Sequence, residues 1–300
     1  MKDEILGLKK EKKAVILAHY YQDGAIQDVA DFVGDSLALA RTAADTDADI
    51  IVFCGVRFMA ETAKILSPEK KVLLPVMDAG CPLADTATAQ DVVKMRDSLG
   101  SVAVVSYVNT NADVKAVSDI CCTSANAVNV VKSIDSDRVL FVPDRNLGAY
   151  VKSIVKNKDI FLWDGYCPVH ESFGVEEIEI LRKNHPGARL AVHPESPMRV
   201  IELADFVGST SGIIQYCENE DADEFIIATE EGILHELRKR AKGKRFYLAS
   251  PAAVCRDMKK VTMESLLDVL KNESNEILLP SETIEKARLP ITRMLQIKRG

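Results

Sequence analysis

No Cys-x-x-Cys pair occurs anywhere in the 300 residues. A zinc ribbon, a thioredoxin-type redox site and a ferredoxin cluster run therefore all lose their usual spacing. No apolar run approaches the ~18 residues of a membrane span. The opening MKDEILGLKKEKK lacks the apolar centre of a secretory leader. The expectation is a cytoplasmic protein with no membrane partner. A basic surplus is missing too: 38 Lys and Arg face 45 Asp and Glu, a net charge of −7. Nucleic-acid proteins usually carry a basic stripe. The one dense basic cluster here, Lys9, Lys10, Lys12 and Lys13, is interleaved with acids and reads as a solvated helix face. No nucleic-acid partner is expected.

What is present is ordinary for a globular chain: 47% hydrophobic and 28% charged residues, which excludes disorder, collagen and coiled coil for most of its length. The length suggests about two domains and suffices for a large core without disulfide or metal support. Seven cysteines stand out: Cys54, Cys81, Cys121, Cys122, Cys167, Cys217 and Cys255. The number is odd, and a reducing compartment disfavours disulfides. Metal binding or catalysis therefore competes with plain burial.

Short β-rich runs alternate with helix-period stretches, the pattern of a parallel α/β protein. The chain also repeats itself. Val29–Ser36 (VADFVGDS) resembles Leu203–Thr210 (LADFVGST), with Val117–Ser124 (VSDICCTS) between them at offsets of 88 and 86 residues. The same offsets align AVILAHY (14–20) with VAVVSYV (102–108) and RLAVHPE (189–195). They align DIIVF (49–53) with DRVLF (137–141) and DEFII (223–227), and KVLLP (71–75) with DIFLW (159–163) and RFYLA (245–249). The expected fold is three similar three-layer α/β/α domains with short parallel sheets about a pseudo-threefold axis. Their limits fall at 1–86, 87–172 and 173–280, with a last helix over 281–300 packing back on the first domain.

Ligands of parallel sheets bind at the carboxyl ends of strands, and three sets of residues fall there. The first is His19 with Tyr21, Tyr107 with Asn109, and His193 with Glu195. The second is Ser36, Ser124 and Thr210, each just ahead of a helical pattern. Such residues cap helices, and helix N-termini also bind anions. The third is Cys81, Cys167 and Cys255, each in a turn-like loop after the fourth strand and spaced by 86 and 88 residues. Three thiolates meeting on the axis hold three corners of a metal site and leave one open for substrate. All-sulfur ligation favours an iron–sulfur cluster or zinc. A catalytic cluster, a non-catalytic iron–sulfur sensor and a Cys₃ zinc hydrolase all remain open at this point. Cys54, Cys121, Cys122 and Cys217 fall in strand or helix patterns and read as structural. His170, three residues after Cys167, is a candidate support for that ligand. Arg57, Glu61 and Lys64 share one helix and are weaker signals, and His185 and His235 receive no role.

The segments LAHYYQ (17–22), FVGDSLALAR (32–41), GVRFMAETAKIL (55–66), YVNT (107–110), TSANAV (123–128), FVPDRNLG (141–148), GYCPVH (165–170), VHPES (192–196), FVGSTSG (206–212) and CRDMKKVT (255–262) resemble the quinolinate synthase family. These are the A proteins of the bacterial and archaeal route to NAD. The resemblance runs in order along nearly the whole chain; Tyr20 departs from the Asn of other members. It implies an iron–sulfur transferase that condenses iminoaspartate with dihydroxyacetone phosphate to give quinolinate, phosphate and water. It implies a 4Fe-4S cluster on Cys81, Cys167 and Cys255 with one open iron. His19, Ser36, Tyr107, Val108, Asn109, Ser124, His193, Pro194, Glu195 and Thr210 take the substrate-contacting positions, Val108 and Pro194 through backbone. Tyr21 matches a tyrosine that orders the site. Catalytic work would fall to Glu195, as general acid and base, and to Tyr21, His19, His193 and Tyr107. The resemblance also implies coupling to the enzyme that makes iminoaspartate.

Overall fold

A computed structural model describes residues 1–298. The last two residues of the expected closing helix lie outside the described residues. Among the described residues, twelve short strands form three parallel sheets of four. β1 (Ala14–His19), β2 (Phe32–Gly34), β3 (Ile50–Cys54) and β4 (Lys71–Leu73) make the first, in the order β2-β1-β3-β4. β5 (Ala103–Tyr107), β6 (Ile120–Cys122), β7 (Arg138–Val142) and β8 (Asp159–Leu162) make the second, and β9 (Arg189–Val192), β10 (Phe206–Val207), β11 (Glu224–Ala228) and β12 (Arg245–Leu248) the third. Both repeat the first order, β6-β5-β7-β8 and β10-β9-β11-β12. The expected α/β fold of three similar units about a pseudo-threefold axis is what the chain adopts.

The central strands are almost wholly buried, as the IIVFC run of β3 illustrates. A parallel strand covered by helices on both faces needs apolar residues at consecutive positions, not alternate ones. The edge strands β2, β6 and β10 hold only two or three residues and offer few ladder bonds. An aspartate ahead of each makes up the deficit. The carboxylates of Asp31, Asp119 and Asp205 accept the backbone N–H of Ile16, Val104 and Leu190 at 2.8, 2.7 and 2.8 Å. Their own N–H groups donate to the carbonyls of the same three residues at 2.9, 3.0 and 2.9 Å. One aspartate per unit thus fixes the register of the edge strand. The turn that follows that strand carries part of the site.

The last helix, Ser281–Gln296, buries Ala287, Pro290, Ile291 and Met294. It lies against β6 and helix Ala112–Ala116 of the second unit as well as helix Arg57–Leu66 of the first. Arg293 Nη1 donates to Asp119 O at 2.8 Å, and Asn126 Nδ2 to Met294 O at 3.1 Å. On the first-unit side, Arg41 Nη2 donates to Leu295 O at 3.1 Å. The helix therefore spans a seam between the first and second units. Among the described residues, no helix is long and apolar enough to cross a membrane.

Removing one register clamp should weaken the fold measurably. Asp119→Ala is expected to lower the unfolding free energy by about 1–3 kcal/mol, the cost of leaving a buried donor unpaired. Urea unfolding followed by far-UV circular dichroism checks this, and an unchanged midpoint contradicts it.

Candidate active site

The carboxyl ends of the strands of all three sheets open into one cleft. Around it stand His19 and Tyr21 beyond β1, Tyr107 and Asn109 at the end of β5, and His193 and Glu195 beyond β9. Ser36, Ser124 and Thr210 join from the turns after β2, β6 and β10, and Cys81, Cys167 and Cys255 from the loops after the fourth strands. All three residue sets named from the sequence therefore converge. Val108 and Pro194 are buried but not among the residues around the cleft. The N–H of Val108 is taken by Cys122 O at 2.9 Å, and proline has none to offer. Only their carbonyls remain for a ligand.

The turn hydroxyls are not the helix caps they resemble. Asp35 caps helix Ser36–Asp45 by accepting from Ala38 N, and Ser209 caps helix Thr210–Asn219 by accepting from Gly212 N. Helix Ala127–Ser133 has Asn126 at its N-cap with no side-chain cap bond. Capping thus falls one residue earlier than expected, or two residues later in the middle unit. Ser36, Ser124 and Thr210 are left to face the cleft.

His19 and His193 occupy equivalent places and make equivalent bonds. Tyr21 N donates to His19 Nδ1 at 3.2 Å, and Glu195 N to His193 Nδ1 at 3.4 Å. A ring nitrogen that accepts carries no proton, so both rings are Nε2–H tautomers when neutral. Burial pulls His19 down to about 4 and His193 to about 3, and the neighbouring His170 adds to the effect on His193. The Nε2 of His193 meets Ser124 Oγ at 3.1 Å.

Glu195 is the electrostatic centre. Burial pushes its carboxyl up, but His170, His193 and a hydrogen bond from Tyr107 together outweigh that and hold it near 2. His170 Nδ1 lies 2.7 Å from Glu195 Oε2, and Asn109 Nδ2 donates to Oε1 at 3.3 Å. From His170 the bonds continue: Nε2 to Thr229 Oγ1 at 3.0 Å, then Thr229 Oγ1 to the Tyr21 hydroxyl at 2.5 Å. Thr210 Oγ1 donates to that hydroxyl at 3.2 Å. The chain Thr210–Tyr21–Thr229–His170–Glu195 is satisfied in one consistent direction. Burial raises Tyr21 and Tyr107 well above the usual phenol range, so both are proton-bearing.

The three cysteines share one local design. Each heads a short helical turn, with Asp85 N, Glu171 N and Lys259 N donating to the carbonyls of Cys81, Cys167 and Cys255 at 3.1, 2.9 and 3.1 Å. Burial pushes all three thiols up, Cys255 to about 11. Backbone N–H groups work against that: Ala84 and Leu83 on Cys81, His170 on Cys167, Met258 and Asp257 on Cys255. Donors aimed at a desolvated sulfur favour the thiolate, the form that binds metal. Among the described residues, the ligand-type trio with atoms within 4.8 Å of one another is Cys167, His170 and Glu195.

A seam between the first and third units holds Tyr21. Lys259 Nζ donates to Tyr21 O at 2.9 Å and pairs with Glu230 at 3.2 Å. A Cβ on Gly232 would sit 2.7 Å from the Tyr21 backbone, so only glycine fits there. Thr229 and Glu230 escape sequence reasoning because the equivalent positions, Gly55 with Val56 and Pro143 with Asp144, are chemically unlike them. The weaker sequence signals sit elsewhere. Glu61 binds Arg57 Nε and Ala112 N, and Lys64 pairs with Glu276. His185 stacks on Tyr247, and His235 meets Asp28. Cys54, Cys121, Cys122 and Cys217 are buried away from the cleft.

The profile of the family described as "Quinolinate synthetase A protein" matches residues 3–296. Proteins named quinolinate synthase are similar along nearly the whole chain. That of Sulfurihydrogenibium sp. (strain YO3AOP1) is 53% identical over 98% of this chain and 97% of its own. That of Alkaliphilus metalliredigens (strain QYMF) is 51% identical over 99% and 98%. That of Aquifex aeolicus (strain VF5) is 50% identical over 99% and 94%.

The two buried neutral histidines impose a pH dependence. Below their ordinary value of 6.5 the unfolded chain takes up protons that folded His19 and His193, at about 4 and 3, do not. Stability should therefore fall as pH drops from 6.5 toward 4. Glu195, held near 2 against an ordinary 4.5, adds its own loss only below 4.5. The raised carboxyls of Asp144 and Glu230 oppose this trend, so urea midpoints between pH 6.5 and 4.5 are compared between wild type and His19→Asn, and the variant should lose less stability as pH falls. An identical slope in the variant would count against the assignment.

Proposed function

The chain belongs to the quinolinate synthetase A protein family, and on that footing we propose that it condenses iminoaspartate with dihydroxyacetone phosphate. The products are quinolinate, phosphate and water. The observation that carries this reading is the convergence of three equivalent cysteine loops on the cleft that holds the His, Tyr, Glu and Ser/Thr sets. Cys81, Cys167 and Cys255 would hold a 4Fe-4S cluster. When bound, a cluster with one iron free of protein ligand supplies a Lewis acid for a substrate carboxylate or hydroxyl.

The chain's own residues do the rest. Ser36, Ser124 and Thr210 offer hydroxyls to carboxylate and phosphate oxygens. The buried Oδ1 of Asn109 has no partner among the described residues and accepts from a bound substrate. Tyr107 and the neutral His19 and His193 orient substrate as proton donors. Both oxygens of Glu195 are engaged, Oε2 with His170 and Oε1 with Asn109, so it does not take a carbon-bound proton by itself. Its work is to hold His170 with Nδ1 protonated, so that Nε2 draws on Thr229 and, through it, on the Tyr21 hydroxyl. Tyr21 is the group that gives and takes the proton at the substrate. Closure by three units, with limits near residues 86, 172 and 280, excludes water from a labile imine. Such a substrate is best received directly from the enzyme that makes it.

Anaerobic protein incubated with dihydroxyacetone phosphate and fresh iminoaspartate should yield quinolinate, and none formed by the iron-loaded protein overturns the reading. Brown protein with about four irons supports the cluster, whereas colourless protein carrying zinc opposes it. Cys167→Ser should lose that iron. Thr229→Val should keep the iron but lower kcat by about 10²–10⁴ with little change in KM. Wild-type turnover in Thr229→Val sinks the relay.

A further inference from the structure

The segment FVPDRNLG (141–148) carries family resemblance but has no part in the chemistry above. Its aspartate is buried to 0% exposure and stands at the end of the third strand of its unit. At the equivalent place in the third unit stands Glu230, also at 0%. Both carboxylates do the same two things. Asp144 Oδ2 accepts the N–H of Cys167 at 3.2 Å, and Oδ1 accepts Leu147 N at 2.8 Å. Glu230 Oε1 accepts the N–H of Cys255 at 3.1 Å, and Oε2 accepts Gly232 N at 2.7 Å. One oxygen grips the cysteine and the other grips the start of the neighbouring helical turn.

A backbone bond beside each carboxylate completes the grip. Arg145 N donates to Gly165 O and Glu231 N to Ala253 O, both at 2.8 Å and both two residues before the cysteine. The first unit has the backbone bond, Arg57 N to Ala79 O at 2.8 Å, but not the carboxylate. Val56 stands there and makes no side-chain cap. Two of the three cysteine loops are therefore bolted to a strand end by a buried acid.

We propose that Asp144 and Glu230 are the positioning residues that hold Cys167 and Cys255 in ligand geometry, and so set how firmly the protein retains its iron–sulfur cluster. The proposal rests on the cluster reading above. A carboxylate has two acceptor oxygens for two N–H donors, whereas an amide has one. Asp144→Asn or Glu230→Gln must turn an NH₂ group toward a backbone N–H, and one of the two grips is lost. Groups that orient metal ligands typically govern affinity by 10–100-fold when removed.

The test is anaerobic reconstitution with ferrous iron and sulfide, followed by the rate of iron release to a chelator. Thermal melts of the cluster-free proteins are recorded first. Both amide variants should melt near wild type yet release iron about tenfold faster or more. Asp119→Ala, which weakens the fold away from the cysteine loops, should release iron at the wild-type rate. Should an amide variant fail to fold, Asp144→Glu or Glu230→Asp replaces it with the same expectation, since the changed reach cannot meet both donors. Wild-type release from these variants overturns the proposal and leaves the cluster reading intact, and so does equally fast release from Asp119→Ala. Wild-type protein that takes up no iron overturns both.

Discussion

An ionised carboxylate sealed among three sheets constrains everything near it. Glu195 is 3% exposed, and a charge cannot stay there without partners. The surroundings divide the task. His170 lies closest, Tyr107 and Asn109 approach the carboxylate as donors, and His193 stays neutral although it sits 3.6 Å from Oε2. Tyr107, Asn109 and His170 come from strand ends and loops of the second unit, and His193 stands with Glu195 itself on the third. The closeness of these two units is therefore an electrostatic requirement as well as a packing outcome.

Threefold repetition is kept in the backbone and dropped in the side chains. The aspartate clamps on the edge strands, the 2.8 Å bonds ahead of each cysteine and the helical turn that each cysteine heads recur in every unit. Beyond the cysteine and hydroxyl sets, equivalent positions carry unlike residues: His19, Tyr107 and His193 at one, Val56, Asp144 and Glu230 at another. The symmetric frame therefore brings three equivalent cysteines beside walls that differ from unit to unit.

What could be read from the sequence follows the same division. Two offsets aligned three strands of each unit and the segment that holds the other, and brought Cys81 and Cys255 into register with Cys167 two residues early, because backbone repetition leaves similar residues at nearly fixed spacing. The Ser and Thr positions were legible as cleft residues but not in their local duty. Asp35 and Ser209 sit directly before them and take the caps, a choice of one position that periodicity does not resolve. Thr229, Glu230 and Asp144 were hidden for the opposite reason: their counterparts are chemically different, so alignment within the chain draws no attention to them. His170 drew notice only through its nearness to Cys167. Its place between Glu195 and Thr229 depends on how the second unit meets the third, which no local pattern encodes. The same applies to the last helix, whose apolar face is plain in sequence but whose partner is not.

That helix has a consequence for the order in which the molecule can be completed. Strand β6 is the edge of the second sheet, and residues 281–296 lie against it. Synthesis runs from the N-terminus, so β6 emerges about 160 residues before its cover does. During that interval the nascent chain carries an exposed edge of three residues, too short to recruit a neighbouring strand efficiently. The brevity of β6, which looks like a weakness in the finished protein, protects the chain while it is still being made.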